Sequence, residues 1–209
     1  MSLVAAVLLA AGKSRRMGAF KPLLPFGAQT VAESCIAALL DGGVGEVVVV
    51  LGTRAEEMRE RLSHLPVSFA LNAEAESEMG VSVARGVERI PAAAEALFVA
   101  LCDQPAVPSR VIRLLIDERR RTGARLLLPE YEGRGGHPVL LDAGLRGELL
   151  ELDQERGLRA LFDKHRAEVL RVPVSSPYVA RDMDTWDDYA ALYLEMFGAL
   201  PPLAGPARS

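Results

Sequence analysis

A chain of 209 residues, half of them apolar, with 24 Lys and Arg against 28 Asp and Glu and a formal net charge of −4, is long enough to bury a core without disulfide or metal staples. The acidic balance leaves no basic field for nucleic acid, and no apolar run reaches the roughly 18 residues of a membrane span. The first residues lack a cationic n-region and a cleavage site, so a cytoplasmic protein with no nucleic-acid and no membrane partner is expected.

The first element, Val4 to Ala10, is a run of Val, Ala and Leu bounded by Gly12, the pattern of a strand buried on both faces. It empties into a loop with two glycines, Gly12 and Gly18, and four cations, Lys13, Arg15, Arg16 and Lys21. Backbone N–H groups and guanidinium forks at the carboxyl edge of a sheet are where open α/β folds bind phosphates. Gly12-Lys13-Ser14 looks like the end of a P-loop, but that motif needs a glycine at position 7, which is Val. The G-x-G-x-x-G dinucleotide fingerprint is also missing.

Thr30 to Leu40 reads as a helix stopped by Asp41-Gly42-Gly43, and Glu46 to Leu51 as a second strand buried on both sides. Arg54 to Leu62 is a charged helix, Val67 to Leu71 a strand, Ser82 to Ile90 a helix, and Ala96 to Leu101 a strand running into Cys102-Asp103-Gln104-Pro105. Ser109 to Thr122 is a helix, Arg125 to Pro129 a strand, Glu132 to Gly136 a loop, and His137 to Leu141 a short strand paired nearby. Two short helices at roughly 144–151 and 156–165 precede a strand from Glu168 to Pro173. Trp186, Tyr189, Tyr193 and Met196 fall at helical spacing and read as a core ridge. This alternation predicts an α/β fold in three layers, a mostly parallel sheet with helices on both faces, Rossmann-like without the fingerprint. One domain is expected over 1–197, with 198–209 a disordered tail. Cys35 and Cys102 are far apart, form no C-x-x-C, and read as buried small hydrophobes.

The loop after the first strand resembles the nucleotidyltransferase signature L-A-[AG]-G-x-[SG]-x-R-[MF]-G-x-x-K-x-L, with Leu9, Ala10, Ala11, Gly12, Ser14, Arg16, Met17, Gly18, Lys21 and Leu23 in register. The variant with Ala11 resembles the MobA-like NTP transferases, and in particular the molybdopterin cytidylyltransferase-like group. That resemblance implies a nucleotidyltransferase fold and transfer of CMP from CTP to molybdopterin with release of pyrophosphate. It implies nucleotide contacts from Leu9, Ala10, Ala11, Gly12, Ser14, Arg16 and Lys21, with Asn72 and Ser82 from a second segment. Ser82 reads equally well as the cap of the helix that follows it. Glu78 stands where the family has a glycine, placing a carboxylate near polyanionic ligands. Lys13 and Arg15 are either direct phosphate contacts or solvated charges.

Nucleotidyl transfer joins two anions and calls for a divalent ion, and Mg²⁺ needs only one or two carboxylates from the protein. Asp103, at the end of the fourth long strand, matches the family's Asp-x-Pro metal motif. Arg181-Asp-Met-Asp-Thr-Trp-Asp-Asp188 resembles D-[IVM]-D-T-P-x-D, implying Asp184 as direct ligand and Asp182 behind it; alternation in an extended segment sends both to one side. Thr185, Asp187 and Asp188 are explained by helix capping. Lys21, Arg16 and Asp103 are the expected catalytic set, with Lys21 near the α-phosphate.

Of the three histidines, His64 and His165 read as surface residues. Gly136-His137-Pro138 resembles the family's G-H-P-V segment and implies acceptor binding. Alternatives are the same transfer to a sugar, polyol or phospholactate acceptor, a cofactor-delivery protein in transient contact with a molybdenum hydroxylase, and an NAD-linked reductase, disfavoured by the missing fingerprint.

Overall fold

The computed structural model describes residues 3–12, 14, 16–74, 78–153 and 156–203. Lys13 and Arg15, two of the four loop cations, lie outside the described residues, as does the 204–209 part of the expected tail.

Strand β1 (Leu3–Ala10) leads through a small hairpin, β2 (Pro25–Phe26) and β3 (Gln29–Thr30), into helix α1 (Val31–Asp41). Then come β4 (Glu46–Leu51), α2 (Ala55–Leu62), β5 (Val67–Leu71), α3 (Met79–Arg89), β6 (Ala94–Leu101) and α4 (Ser109–Thr122). The second half holds β7 (Leu126–Tyr131), β8 (Arg134–Gly135), β9 (Val139–Asp142), α5 (Arg146–Leu150), α6 (Leu158–Lys164), β10 (Val169–Pro173) and α7 (Trp186–Phe197). The main sheet runs β10-β7-β9-β6-β1-β4-β5, with β8 paired to β7. All neighbours on the main path are parallel except β9, which is antiparallel to both β6 and β7. The expected three-layer, mostly parallel α/β architecture is the one observed.

Strand alternation divides the apolar residues between two cores. Val4, Ala6, Leu8 and Ala10 of β1 face α1, α2, α4 and α7, while Ala5 and Val7 face α3, α5 and α6. The helix α3 packs so close that a Cβ on Gly86 would collide with Val7 and lie 2.9 Å from Val50, so only glycine permits this approach. At α1, Thr30 and Glu33 form a reciprocal capping box, which fixes the helix start immediately after the hairpin.

Four expectations need correction. The helix expected from Ser82 begins at Met79, with Glu78 in the N-cap position but making no side-chain cap, so Ser82 lies inside α3 and caps nothing. The expected loop 132–136 contains β8, folded back on β7. Met196 is 39% exposed: as α7 runs past the sheet, Tyr189, Leu192 and Tyr193 face the core and the last turn extends beyond it. His165 is no open surface residue. Its ring, 12% exposed, is clamped between Glu148 (Nε2 to Oε2, 3.0 Å) and Glu168 (Nδ1 to Oε1, 2.9 Å).

Hydrogen bonds to Glu168 and then Glu148 raise the His165 pKa above 6.5. A group whose folded pKa is raised stabilises the fold fully below its unfolded pKa and loses that contribution as pH rises through the folded value. Thermal midpoints measured between pH 6 and pH 9 should therefore fall on the alkaline side in the wild type, and this slope should flatten in His165→Gln.

Candidate active site

The carboxyl ends of β1, β4 and β6 open into a cavity of about 500 Å³. Here the sheet changes direction, with β4 and β5 on one side of β1 and β6 on the other, the crevice in which α/β sheets hold ligands. Leu9, Ala10, Ala11, Gly12, Ser14 and Lys21 line it from the first strand and loop, Asn72 and Ser82 from the segment after β5, and Asp103 from the end of β6. Residues as far apart in sequence as Leu9 and Asp103 thus share one wall because parallel strands end together.

In the loop after β1, the described residues Ser14, Met17 and Lys21 are tied together through their backbone. Ser14 sits at φ 51°, an uncommon conformation for a residue with a side chain. This places its Oγ to accept from the Lys21 N–H at 3.1 Å and its carbonyl to accept from the Met17 N–H at 3.1 Å. From behind, Gly52 presses on the loop: a Cβ there would lie 2.5 Å from the Ala11 carbonyl oxygen. Gly52 and Thr53 both line the cavity and were missed in the sequence. The available signal was their place after β4, a second buried strand ending at the same edge.

Lys21 is the electrostatic centre. Its Nζ lies 3.5 Å from Asp103 Oδ2 and 3.3 Å from Asp184 Oδ1, with the ammonium side chain only 11% exposed. Arg16, 74% exposed and outside the cavity lining, pairs its guanidinium with Asp184 Oδ2 at 2.9 Å. The 182–184 segment is tied to Asp103 by the Met183 N–H donating to the Asp103 carbonyl at 3.0 Å. Alternation holds there: Met183 is buried and its two acidic neighbours turn away from the core. They take different partners, however, because Gln104 Nε2 donates to Asp182 Oδ1 at 2.8 Å and draws it aside from Lys21.

Burial pushes the Asp103 carboxyl up, Lys21 opposes this, and the charges of Asp182 and Asp184 push it up further. Its Oδ1 is buried without a hydrogen-bond partner. Among the described residues two cations face three carboxylates, so a triphosphate is received more easily when further positive charge arrives with it. A divalent ion fits that need, with the bare Asp103 Oδ1 as a hard donor. Among the described residues no group of three or more His, Cys, Asp or Glu side chains is placed to hold a metal. The site matches an ion held by few protein ligands and by the phosphates themselves.

Asn72 and Ser82, both buried, bond to each other, Asn72 Nδ2 donating to Ser82 Oγ at 2.9 Å. The Asn72 N–H donates to the Leu51 carbonyl at 2.8 Å, which fixes this pair at the end of β4. Glu74 and Glu78 line the same cavity. Cys102 also lines it, but a hydrogen bond with Cys35 and burial push its thiol well up, and both cysteines are free and buried, as the sequence suggested.

His137 lies in an adjoining cavity of about 350 Å³ that shares Glu78 and Met79 with the first. Gly136 and Pro138 line neither. Gly136 is pressed on the Val179 carbonyl, where a Cβ would collide, and its N–H donates to the Pro129 carbonyl at 2.9 Å.

The profile of the MobA-like NTP transferase domain matches residues 6–169. The chain belongs to this family. By that membership this MobA-like protein is a nucleotidyltransferase. It is 33% identical over 195 residues to nicotine blue oxidoreductase of Paenarthrobacter nicotinovorans, covering 87% of this chain and 92% of that protein. To the molybdenum cofactor cytidylyltransferase of Escherichia coli it is 26% identical over 192 residues, covering 90% and 95%. The fold superimposes on a nucleotidyl transferase from Methanothermobacter thermautotroptrophicus with a TM-score of 0.79, 25% identity, and coverage of 94% of this chain and all of that one. It also superimposes on Rv0371C of Mycobacterium tuberculosis, solved in complex with manganese, with a TM-score of 0.75, 25% identity and coverage of 93% and 98%. Among the described residues no helix of this MobA-like chain is long and apolar enough to cross a membrane.

Removing the Lys21 ammonium strips Asp103 and Asp184 of their shared counter-ion. Lys21→Met should cost about 1–3 kcal/mol of stability at neutral pH and raise the Asp103 pKa, as read by carboxyl-carbon NMR titration. Because the ionised form is the one destabilised, the stability deficit should shrink as pH falls.

Proposed function

We propose that this protein transfers CMP from CTP to molybdopterin, with Mg²⁺ and with release of pyrophosphate. The observation that carries the reading is the Lys21 ammonium held between Asp103 and Asp184 at the mouth of the Ala10-Ala11-Gly12 loop. Similarity to the E. coli molybdenum cofactor cytidylyltransferase over nearly the whole of both chains supports the choice of acceptor.

In this reading the triphosphate lies along the loop, bound by the backbone N–H groups around Gly12, by Lys21 and by Arg16 at the rim. Ala11 and Ser14 are held in place before the ligand arrives, by the Gly52 contact and by the Ser14 bonds. An oxygen of the acceptor's phosphate monoester attacks the α-phosphorus of CTP; that P–O bond forms as the bond from the α-phosphorus to the bridging oxygen breaks, and pyrophosphate departs. The attacking oxygen is anionic at neutral pH, so no general base is required, consistent with a cavity lined by neither His nor a Ser–His pair. Lys21 meets the charge that gathers on the α-phosphate. Asp103 and Asp184 would hold the Mg²⁺, with Asp182 kept behind them by Gln104; when bound, the ion neutralises the triphosphate and the leaving pyrophosphate. Asn72 and Ser82 would face the nucleoside. The Ala11 methyl, fixed by the pressure of Gly52 on its backbone, would narrow the base site in favour of cytosine.

Pyrophosphate release should require CTP, Mg²⁺ and molybdopterin together. Asp103→Asn should reduce turnover at least about 100-fold and raise the thermal midpoint at neutral pH, since a buried, crowded carboxylate is replaced by a neutral isostere. In a separate series, Ala11→Gly should shift the CTP-to-GTP ratio of kcat/KM by about tenfold toward GTP; an unchanged ratio removes Ala11 from base selection.

The similarity to nicotine blue oxidoreductase favours a second reading, in which the same cavity holds a reducing nucleotide. NADPH oxidation without pyrophosphate release would select it.

A further inference from the structure

The cavity of about 350 Å³ beside the nucleotide site is walled by His137, by Glu78, Met79 and Gly80 at the start of α3, and by residues 156–159. Its two cations differ. Arg156 pairs with Asp163 at the surface, whereas Arg159, also exposed, forms no ion pair among the described residues. Gly80 draws the two walls together: a Cβ there would lie 3.2 Å from the Asp153 carbonyl oxygen and 3.9 Å from the Gly157 Cα, so the first turn of α3 rests directly on these residues. His137 supplies no charge to balance an anion, since burial lowers its pKa and its Nδ1 faces the Val99 carbonyl at 3.4 Å. Positive charge in this cavity therefore rests on Arg159.

An acceptor whose phosphate reacts beside Lys21 must leave its body somewhere, and the only described wall common to both cavities is Glu78 with Met79. We infer that the body of the acceptor occupies this second cavity and carries a second anionic group, apart from its phosphate, that pairs with Arg159. Glu78, on the shared wall, accepts from N–H groups of a heterocycle and disfavours any further phosphate at that point. This inference rests on the transfer reaction proposed above and narrows the acceptor to a phosphate monoester with a second anionic group and N–H donors. The ene-dithiolate and pterin of molybdopterin meet that description; a neutral sugar or polyol phosphate does not.

The test pairs turnover with direct binding of Mo-free molybdopterin, followed by pterin fluorescence without nucleotide, in the wild type, Arg159→Gln and Arg159→Lys. Arg159→Gln should raise the KM for the pterin and weaken its direct binding by about tenfold, with the KM for CTP changed less than about twofold, and Arg159→Lys should recover part of the loss. S-alkylation of the dithiolate to a neutral derivative should abolish the difference between wild type and Arg159→Gln. Turnover with equal pterin affinity in both proteins would overturn this inference and leave the reaction standing. Arg159-dependent binding without turnover would keep the inference and overturn the reaction, and failure of the wild type to bind the pterin would overturn both.

Discussion

A partly buried ammonium shared by two carboxylates is the contact on which the rest of this site depends. Lys21 comes from the loop after β1, Asp103 from the end of β6 and Asp184 from the approach to α7, positions separated from Lys21 by 82 and 163 residues. Three segments of chain are closed around one charge. Remove it and nothing in the described site balances the three acids, since Arg16 reaches only Asp184 and is largely solvated.

The surroundings serve to hold that charge in place. The Met183 N–H to Asp103 carbonyl bond and the Gln104 to Asp182 bond lock the acidic segment to the end of β6. Helix α7 is anchored in turn by the Tyr189 hydroxyl donating to the Pro25 carbonyl at 2.7 Å and by Tyr193 and Phe197 packed on Phe26. Its capping box, Thr185 with Asp188, sets where the helix begins and so where Asp184 stands. Aromatic packing on one face of the molecule thereby positions a carboxylate on its carboxyl edge. The site keeps its own costs, a left-handed Ser14 and a carboxylate oxygen without a partner, as is common where binding rather than stability has shaped the residues.

On the proposed reading, the two adjoining cavities would divide a transfer between its reactants, with phosphates beside the glycine loop and Lys21 and the acceptor's body beside His137 and Arg159, beyond the start of α3. Glu78, on the wall between them, would then give the sequence's departure from the family's glycine a use, since an acid at that border favours N–H donors and repels stray phosphate.

Local pattern determined much of this protein. Apolar runs gave the buried strands, capping residues gave the start of α7, and the spacing from Leu9 to Leu23 gave the family, because each depends on residues close together in the chain. What depended on distant partners was decided only by the tertiary structure. Ser82 reads equally as a nucleotide contact and as a cap until α3 is seen to start at Met79 with Asn72 bonded to Ser82, and His165 reads as a surface residue until Glu148 and Glu168 close on its ring. Gly52 and Thr53 become part of the site only because β4 ends beside β1. Alternation sends Asp182 and Asp184 to one side, and it is Gln104 that holds Asp182 apart, while Arg159 acquires its cavity only when residues 156–159 fold against α3. Sequence periodicity reports which face of an element is apolar; it carries no information on which remote side chain will meet the polar one.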